Sequence, residues 1–244
     1  MKISFVIPAY NEEKNIHDCI VSIKTEIERT PGEYEIIVVN NASTDKTRDI
    51  VSKEKRVSVI DEEHKGIVWT RKAGFEKSTD DLITNIDADN RLPSGWLSTV
   101  KNFFSSDNTL LALSGPVNYY VSSFLIRFLT SLFYKFGFAF DHLMKLFGKA
   151  SMLQGGNYIV RREAIKAIGG YNTNITFYGE DVILGRQISK IGKIIWTFNL
   201  SINSSARRLQ KEGIIVTAFK YSINYLWIAF TGKPFNTRYI DIRL

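Results

Sequence analysis

In the first part of the chain, short continuous runs of β-branched residues alternate with stretches whose apolar positions recur every three or four residues. Ile3 to Ile7, Glu35 to Val39, Val57 to Ile60 and Leu82 to Ile86 are too short for helices and read as strands. Between the first two, Ile16, Cys19, Ile20, Ile23 and Ile27 fall on one side of a helix. This rhythm predicts βαβ units. Near-continuous Val and Ile leave neither sheet face for water, so the sheet is mostly parallel and covered by helices on both sides. Ligands of such sheets gather outside the carboxyl ends of the strands. Three of the four runs end there in polar residues: Ala9-Tyr10-Asn11-Glu12, Asn40-Asn41-Ala42-Ser43-Thr44-Asp45 and Asp87-Ala88-Asp89. Taken singly, each loop also reads as a helix cap, with Asn11, Asp45 and Ser94 in the N-cap positions. Three on one edge read as a binding site made of carboxylates and amides.

Two later segments are apolar in a different way. Val121 to Lys149 is rich in Phe and Leu, but Arg127, Lys135, Asp141 and Lys145 interrupt it too often for a spanning helix. Arg127, Ser131, Lys135, His142, Lys145 and Lys149 instead draw a narrow polar stripe on an apolar helix, the pattern of a helix lying in a membrane interface. A core helix or a homo-oligomer contact is the other occupant such a face admits. Ile214 to Thr231 is broken only by Lys220, carries Tyr225 and Trp227 as interfacial anchors, and approaches the length of a span.

Composition narrows the class without naming a function. With 244 residues, 44% hydrophobic and 23% charged, the chain is ordinary globular material, which excludes disordered and repeat architectures. Its single cysteine, Cys19, excludes a disulfide framework and a thiolate metal site, and fits a reducing compartment. The apolar run at the N-terminus is too short for a signal-peptide core. The formal net charge of +7 comes entirely from Lys190 to Leu244, where nine Lys/Arg face Glu212 and Asp241. A basic tail meets nucleic acid, an anionic membrane or a phosphorylated ligand. This one has no recognised nucleic-acid module, and its apolar neighbours suit lipid better. The expectation is a cytoplasmic protein held peripherally on the anionic inner face of the cell membrane.

The acidic run carries the most chemistry. Asp87 and Asp89 directly follow the apolar run Leu82 to Ile86 and project from a strand end into a cleft. Hard oxygen ligands suit Mg²⁺ or Mn²⁺, and Mg²⁺ characteristically takes one or two protein carboxylates and fills its shell with water and substrate phosphates. A diphosphate ligand fits; a solvated turn is the alternative. No G-x-G-x-x-G follows the first strand and no P-loop occurs, which argues against dinucleotide or ATP cradling by those devices.

Read together, these segments resemble family 2 glycosyltransferases of the GT-A fold, which use nucleotide sugars and invert the anomeric centre. Val6-Ile7-Pro8-Ala9-Tyr10-Asn11-Glu12-Glu13 is similar to the family's opening nucleotide-binding segment, and Asn40 to Asp45 to its usual Asp-Asp-Gly-Ser-Thr-Asp. Lys65-Gly66 through Arg71-Lys72-Ala73-Gly74, then Ile86-Asp87-Ala88-Asp89 with Leu92-Pro93-Ser94-Gly95-Trp96-Leu97, resemble the segments around the acidic motif. Gly155-Gly156-Asn157, Gly169-Gly170-Tyr171 and Gly179-Glu180-Asp181 resemble the acceptor-side half. The resemblance runs from Lys2 to Ser205 and is poor over Val117 to Lys149. It divides the chain into a catalytic domain, 1–205, and a basic, apolar helical tail, 206–244. Within the domain, 1–116 is the nucleotide-sugar half, 117–150 an amphipathic helical insertion, and 151–205 the acceptor and catalytic-base half.

The resemblance also implies roles. Pro8, Ala9, Tyr10 and Glu12 would line the nucleoside pocket with Asn40 and Ser43; Lys65, Arg71 and Ala88 belong to the same nucleotide-sugar side. Asp87 would meet ribose or the metal's water shell, and Asp89 would ligate the divalent Mn²⁺ or Mg²⁺. Asp181, aided by Glu180, would be the base that deprotonates an acceptor hydroxyl; without the resemblance, the doublet reads as the acidic start of the helix Val182 to Ile191. Gly155, Gly156, Asn157, Arg207 and Arg208 fall on the acceptor and donor-sugar side. Two departures stand out. Asn40 replaces the aspartate that accepts the uracil imide hydrogen, so UDP is only the default donor nucleotide. The three histidines, His17, His64 and His142, all precede the acceptor-side half, so the diphosphate must supply more of the metal shell. The processive Gln-x-x-Arg-Trp signature is missing, which favours transfer of one sugar, to an acceptor that is lipid-linked or another envelope glycan precursor. A nucleotidyltransferase of related fold, or a non-catalytic nucleotide-sugar-binding scaffold, is the alternative.

Overall fold

The computed structural model describes residues 1–120, 123–146, 152–175 and 179–235. The expected strands form where the pattern puts them. The chain runs β1 (Lys2–Ala9), α1 (Ile16–Arg29), β2 (Glu33–Asn40), α2 (Thr47–Ser52), β3 (Ser58–Asp61), α3 (Ile67–Lys77), β4 (Leu82–Ile86), β5 (Asn90–Arg91), α4 (Trp96–Ser106), β6 (Leu110–Ser114) and β7 (Val117–Tyr119). It continues through α5 (Phe124–Leu146), β8 (Asn157–Arg161), α6 (Arg162–Ala167), α7 (Glu180–Ile188), β9 (Lys193–Trp196), a 3₁₀ turn at Phe198–Leu200, β10 (Ile202–Ser204), α8 (Arg207–Glu212) and α9 (Ile214–Thr231). Seven strands make the central sheet in the order β3-β2-β1-β4-β8-β6-β9. Its neighbours pair in parallel except around β8, which is antiparallel to both β4 and β6. The fold is the expected helix-flanked, mostly parallel α/β sheet.

Double-sided burial holds it together. Every β1 residue after Lys2 is buried, as are all five of β4, so β1 and β4 form the floor of the core. Ile16, Cys19, Ile20 and Ile23 of α1 close one face, and burying each of these isoleucines contributes about 1.5–3 kcal/mol. On the other face α3 lies very close: a Cβ on Gly74 would sit 2.2 Å from a Val6 methyl, so only glycine permits this helix-to-strand approach. The parallel order β2-β1-β4 brings the carboxyl ends of these three strands to one edge. A small second sheet, β5-β10-β7, lies beyond β4 and returns the chain to α8 and α9.

The two apolar helices differ from expectation in which residues face inward. Along α5 the inward side includes Tyr134, Met144 and the acid Asp141, while Phe124 (78% exposed), Phe128 and Phe136 (68%) face outward with Arg127, Ser131, Lys135 and His142. Asp141 is buried because its Oδ1 is well used, accepting the Met152 amide at 2.7 Å and the Tyr225 hydroxyl of α9 at 3.0 Å. In α9, fully buried Ile228 packs with Val68, Ile175 and Ile183, whereas Ile215 (80%) and Phe219 (66%) are exposed. Among the described residues α9 is the one helix long and apolar enough to cross a membrane, and one of its faces is docked on α3 and α7. Lys149 of the expected stripe and the end of the basic tail, 236–244, lie outside the described residues.

Candidate active site

The loops after β1 and β2 are stitched together by their own polar side chains. Asn11 Oδ1 accepts the Thr44 amide at 2.9 Å, and the Asn11 amide donates to Ser43 Oγ at 3.1 Å. The Glu12 amide donates to Thr47 Oγ1 and the Glu13 amide to Asp45 Oδ2. Asn11 is therefore a bridge between loops and not a cap; Asn15 holds the N-cap position of α1, and Gly95, not Ser94, that of α4. Lys46 holds the N-cap position of α2, and Asp45, one residue before it, takes the Thr47 amide at 2.9 Å. Both loops carry a non-glycine residue in the left-handed region, Asn11 at φ 51° and Ala42 at φ 54°. Ala42 stands where the similar family motif has glycine, so the local strain there has a chemical origin.

Asn40 and Asn41 do different work. Asn41 donates to the carbonyls of Glu62 and His64 and accepts the Gly66 amide, which fixes the loop leading into α3. Asn40 is buried at the end of β2, and its Nδ2 donates to Asp61 Oδ1 at 2.8 Å. A carboxylate only accepts, so Asp61 fixes the amide's orientation and leaves Asn40 Oδ1, which has no partner among the described residues, as the acceptor. Asp61 is itself clamped by Arg48, which with Asn40 holds its carboxyl below the usual carboxylate range. Nearby, the Lys65 ammonium lies over the Tyr10 ring, 5.5 Å from its centroid. The side chains of Pro8, Ala9 and Ala88 belong to the core, so only their backbone can meet a ligand.

The acidic motif meets the acid doublet across a glycine pair. A Cβ on Gly156, whose φ is +74°, would lie 2.4 Å from the Asp87 carboxyl; one on Gly155 would lie 3.1 Å from Asp181 Oδ2. No side chain fits on Gly156, and one on Gly155 would make the Asp181 carboxyl give way by a few tenths of an ångström, so two carboxylates from distant segments flank one stretch of backbone. Asn90 Nδ2 holds the Gly156 carbonyl at 2.7 Å, and the Gly155 amide donates to Asp181 Oδ2 at 2.7 Å. Asn157 lies beneath, fully buried: its Nδ2 donates to the Gly115 and Leu200 carbonyls, and its Oδ1 accepts from the Trp96 indole. It is a staple under the site.

Arg71 joins the two acidic groups electrostatically. Fully buried on α3, it pairs with Glu180 and approaches Asp87 Oδ1 at 3.4 Å, with its guanidinium over the Tyr158 ring. Burial pushes Glu180 up to about 7 despite Arg71, and raises Asp181 above the usual carboxylate range against the pull of Arg71 and the Gly155 amide. Asp181 Oδ1 also accepts the Val182 amide at 2.8 Å, so the residue starts α7 and faces the glycine pair at once. An elevated carboxylate is a better proton acceptor for a hydroxyl than an ordinary one.

Arg207, the first residue of α8, reaches the same edge from the other end of the chain. It pairs with buried Glu12 and with Asp89 Oδ2 at 3.1 Å. Arg208 turns instead to Glu212, which also binds Lys220 of α9. Among the described residues no group of three His, Cys, Asp or Glu gathers to hold a metal by protein ligands alone; Asp87 and Asp89 would offer a divalent ion two carboxylates, with the rest of its shell left to water or phosphate oxygens. The coupling of Arg71 to Glu180 and the roles of Asp61 and Asn90 escape the sequence reading. An acid ending β3, at the edge where Asn40 ends β2 and polar residues follow β1 and β4, was the signal for Asp61.

A family profile described as glycosyl transferase family 2 matches residues 4–169. An uncharacterized glycosyltransferase of Haemophilus influenzae is 23% identical over 261 residues, covering 93% of this chain and 96% of its own length. Glycosyltransferase GlyA of Streptococcus pneumoniae is 29% identical over 103 residues, which cover 41% of this chain and only 14% of that protein. Among solved structures, the mannosyltransferase PcManGT of Pyrobaculum calidifontis, in complex with GDP-Man and Mn²⁺, superposes with a TM-score of 0.69 at 19% identity, covering 94% of this chain and 63% of that one. S. aureus TarS 1–349 in complex with UDP-GlcNAc gives 0.61 at 17% identity, over 84% and 58%. The likeness to both structures is one of fold.

Proposed function

Because this chain belongs to glycosyl transferase family 2, we propose that it is an inverting enzyme that moves a single sugar from a nucleotide-diphosphate sugar to an acceptor hydroxyl. The observation that carries this reading is the glycine pair Gly155–Gly156, with Asp87 on one side and Asp181 on the other. An inverting transfer needs an acceptor-side base and a charge sink for the departing diphosphate, held close together. Asp181 is the base, its carboxyl raised by burial. Arg71 holds Glu180 and Asp87 in register beside it. Asp89 and Asp87 would hold a divalent metal, which when bound would supply Lewis-acid neutralisation of the diphosphate. Asn40 Oδ1, buried and without a partner among the described residues, is an acceptor that the ring N–H of uracil, thymine or guanine would fill. UDP is the default.

We infer further that the enzyme works peripherally on the cytoplasmic face of a membrane, on a lipid-linked acceptor. Support comes from the exposed Phe124, Phe128 and Phe136 of α5 and Ile215 and Phe219 of α9, with Arg127 and Lys135 beside them.

Thermal shifts with UDP-, GDP-, dTDP- and ADP-sugars, with and without Mn²⁺, test the donor reading. Metal-dependent stabilisation by one or more of the first three is expected, and none by any donor would overturn it. Asp181→Asn is expected to keep that stabilisation and abolish transfer; retained turnover would remove Asp181 from the base role.

A further inference from the structure

We propose that Arg207 is the resident counter-cation of the acidic motif, and that it exchanges from Asp89 to the donor diphosphate when a metal–nucleotide complex enters. The proposal rests on the nucleotide-sugar reading above. Its physical basis is the pair of acids that Arg207 joins. Glu12 follows β1 and Asp89 follows β4, and one guanidinium bridges both, at 3.1 Å from Asp89 Oδ2. Asp87 meanwhile faces Arg71 at 3.4 Å. Each acid of the motif therefore already has a cation beside it, and no third ligand gathers near them among the described residues.

A bare divalent cation approaching this edge meets carboxylates that each already share a guanidinium with a second acid: Asp89 shares Arg207 with Glu12, and Asp87 shares Arg71 with Glu180. To take Asp89 it must part Arg207 from one of its two acids, leaving the guanidinium with Glu12 alone. A cation carrying a diphosphate brings a replacement anion with it. Guanidinium forks match phosphate oxygens, and the Nε–H of Arg207 is buried without a partner among the described residues, a donor unused in the acid-bound state. Because Arg207 opens α8 directly after the Ser205–Ala206 turn, exchange needs rotation of a side chain and no rearrangement of the sheet.

Titration of the full chain with Mn²⁺, followed by the EPR signal of the free ion, reads the exchange directly. In the wild type, Mn²⁺ alone should bind weakly and UDP or GDP should tighten it. Arg207→Gln should bind Mn²⁺ alone roughly tenfold more tightly, the effect of losing one competing charge of about 1.4 kcal/mol, yet bind Mn²⁺–UDP or Mn²⁺–GDP more weakly than the wild type. A merely structural arginine would weaken both, so an unchanged or weaker affinity for Mn²⁺ alone overturns the exchange while leaving nucleotide binding intact. Absence of nucleotide binding by the wild type overturns the transferase reading and this proposal with it. Arg207→Lys keeps the charge without the fork; it should fall between the two proteins, and identity with the wild type in both titrations overturns the role of the fork.

Discussion

One methyl group sets the strain in the loop after β2. Ala42 sits at φ 54°, a conformation that costs an L-residue about 1–2 kcal/mol and glycine almost nothing. Ala42→Gly should therefore stabilise the fold by about 0.5–1 kcal/mol after the added freedom of the unfolded chain is subtracted, measurable by urea unfolding. A second residue-scale prediction concerns protons. Asp181 works as a base only when ionised, and burial lifts its pKa above the ordinary carboxylate range while Arg71 lowers it. Transfer should thus fall as pH drops through that raised value. Arg71→Met removes the lowering charge, so the acidic limb of the pH–kcat/KM profile should move to higher pH. An unmoved limb would separate Arg71 from the proton transfer.

At the scale of elements, α9 is the piece whose behaviour the packing changes most. Fully buried Ile228 lies against Val68, Ile175 and Ile183, and a Cβ on Gly179, just before the acid doublet, would lie 2.1 Å from its Cδ1. The helix thus supports the turn that presents Glu180 and Asp181. Ile228→Ala should cost about 2–5 kcal/mol of stability, as large-to-small changes in cores do. Phe219→Ala, on the exposed face, should stay within about 0.5 kcal/mol. Equal and negligible effects in urea unfolding would mean that α9 is not docked. The period of the sequence predicts this helix correctly. It leaves the inward side open, because Ile214 to Thr231 is apolar nearly all round and only the partners, Gly179 and the cluster beneath it, select a face.

For the whole molecule, the question is what meets the Phe, Ile and Leu side chains that α5 and α9 turn outward. On the membrane reading, Phe128→Glu with Phe219→Glu should abolish flotation with anionic vesicles at low salt and leave thermal stability intact. A wild-type protein that stays in the soluble fraction under those conditions would sink that reading. By itself the sequence determined the strand runs Ile3 to Ile7 and Leu82 to Ile86, the α/β class, and the strand-end motifs at Glu12, Asn40 and Asp87, because period and end chemistry are local properties of the chain. Tertiary structure alone decided that Arg71 couples Asp87 to Glu180, that Asp61 orients Asn40, and that Arg207 rests on Asp89. Those pairs join residues 16 to 118 positions apart. No local pattern encodes them; they exist only because sheet order brings separate strand ends to one edge, where charges removed from water must find one another.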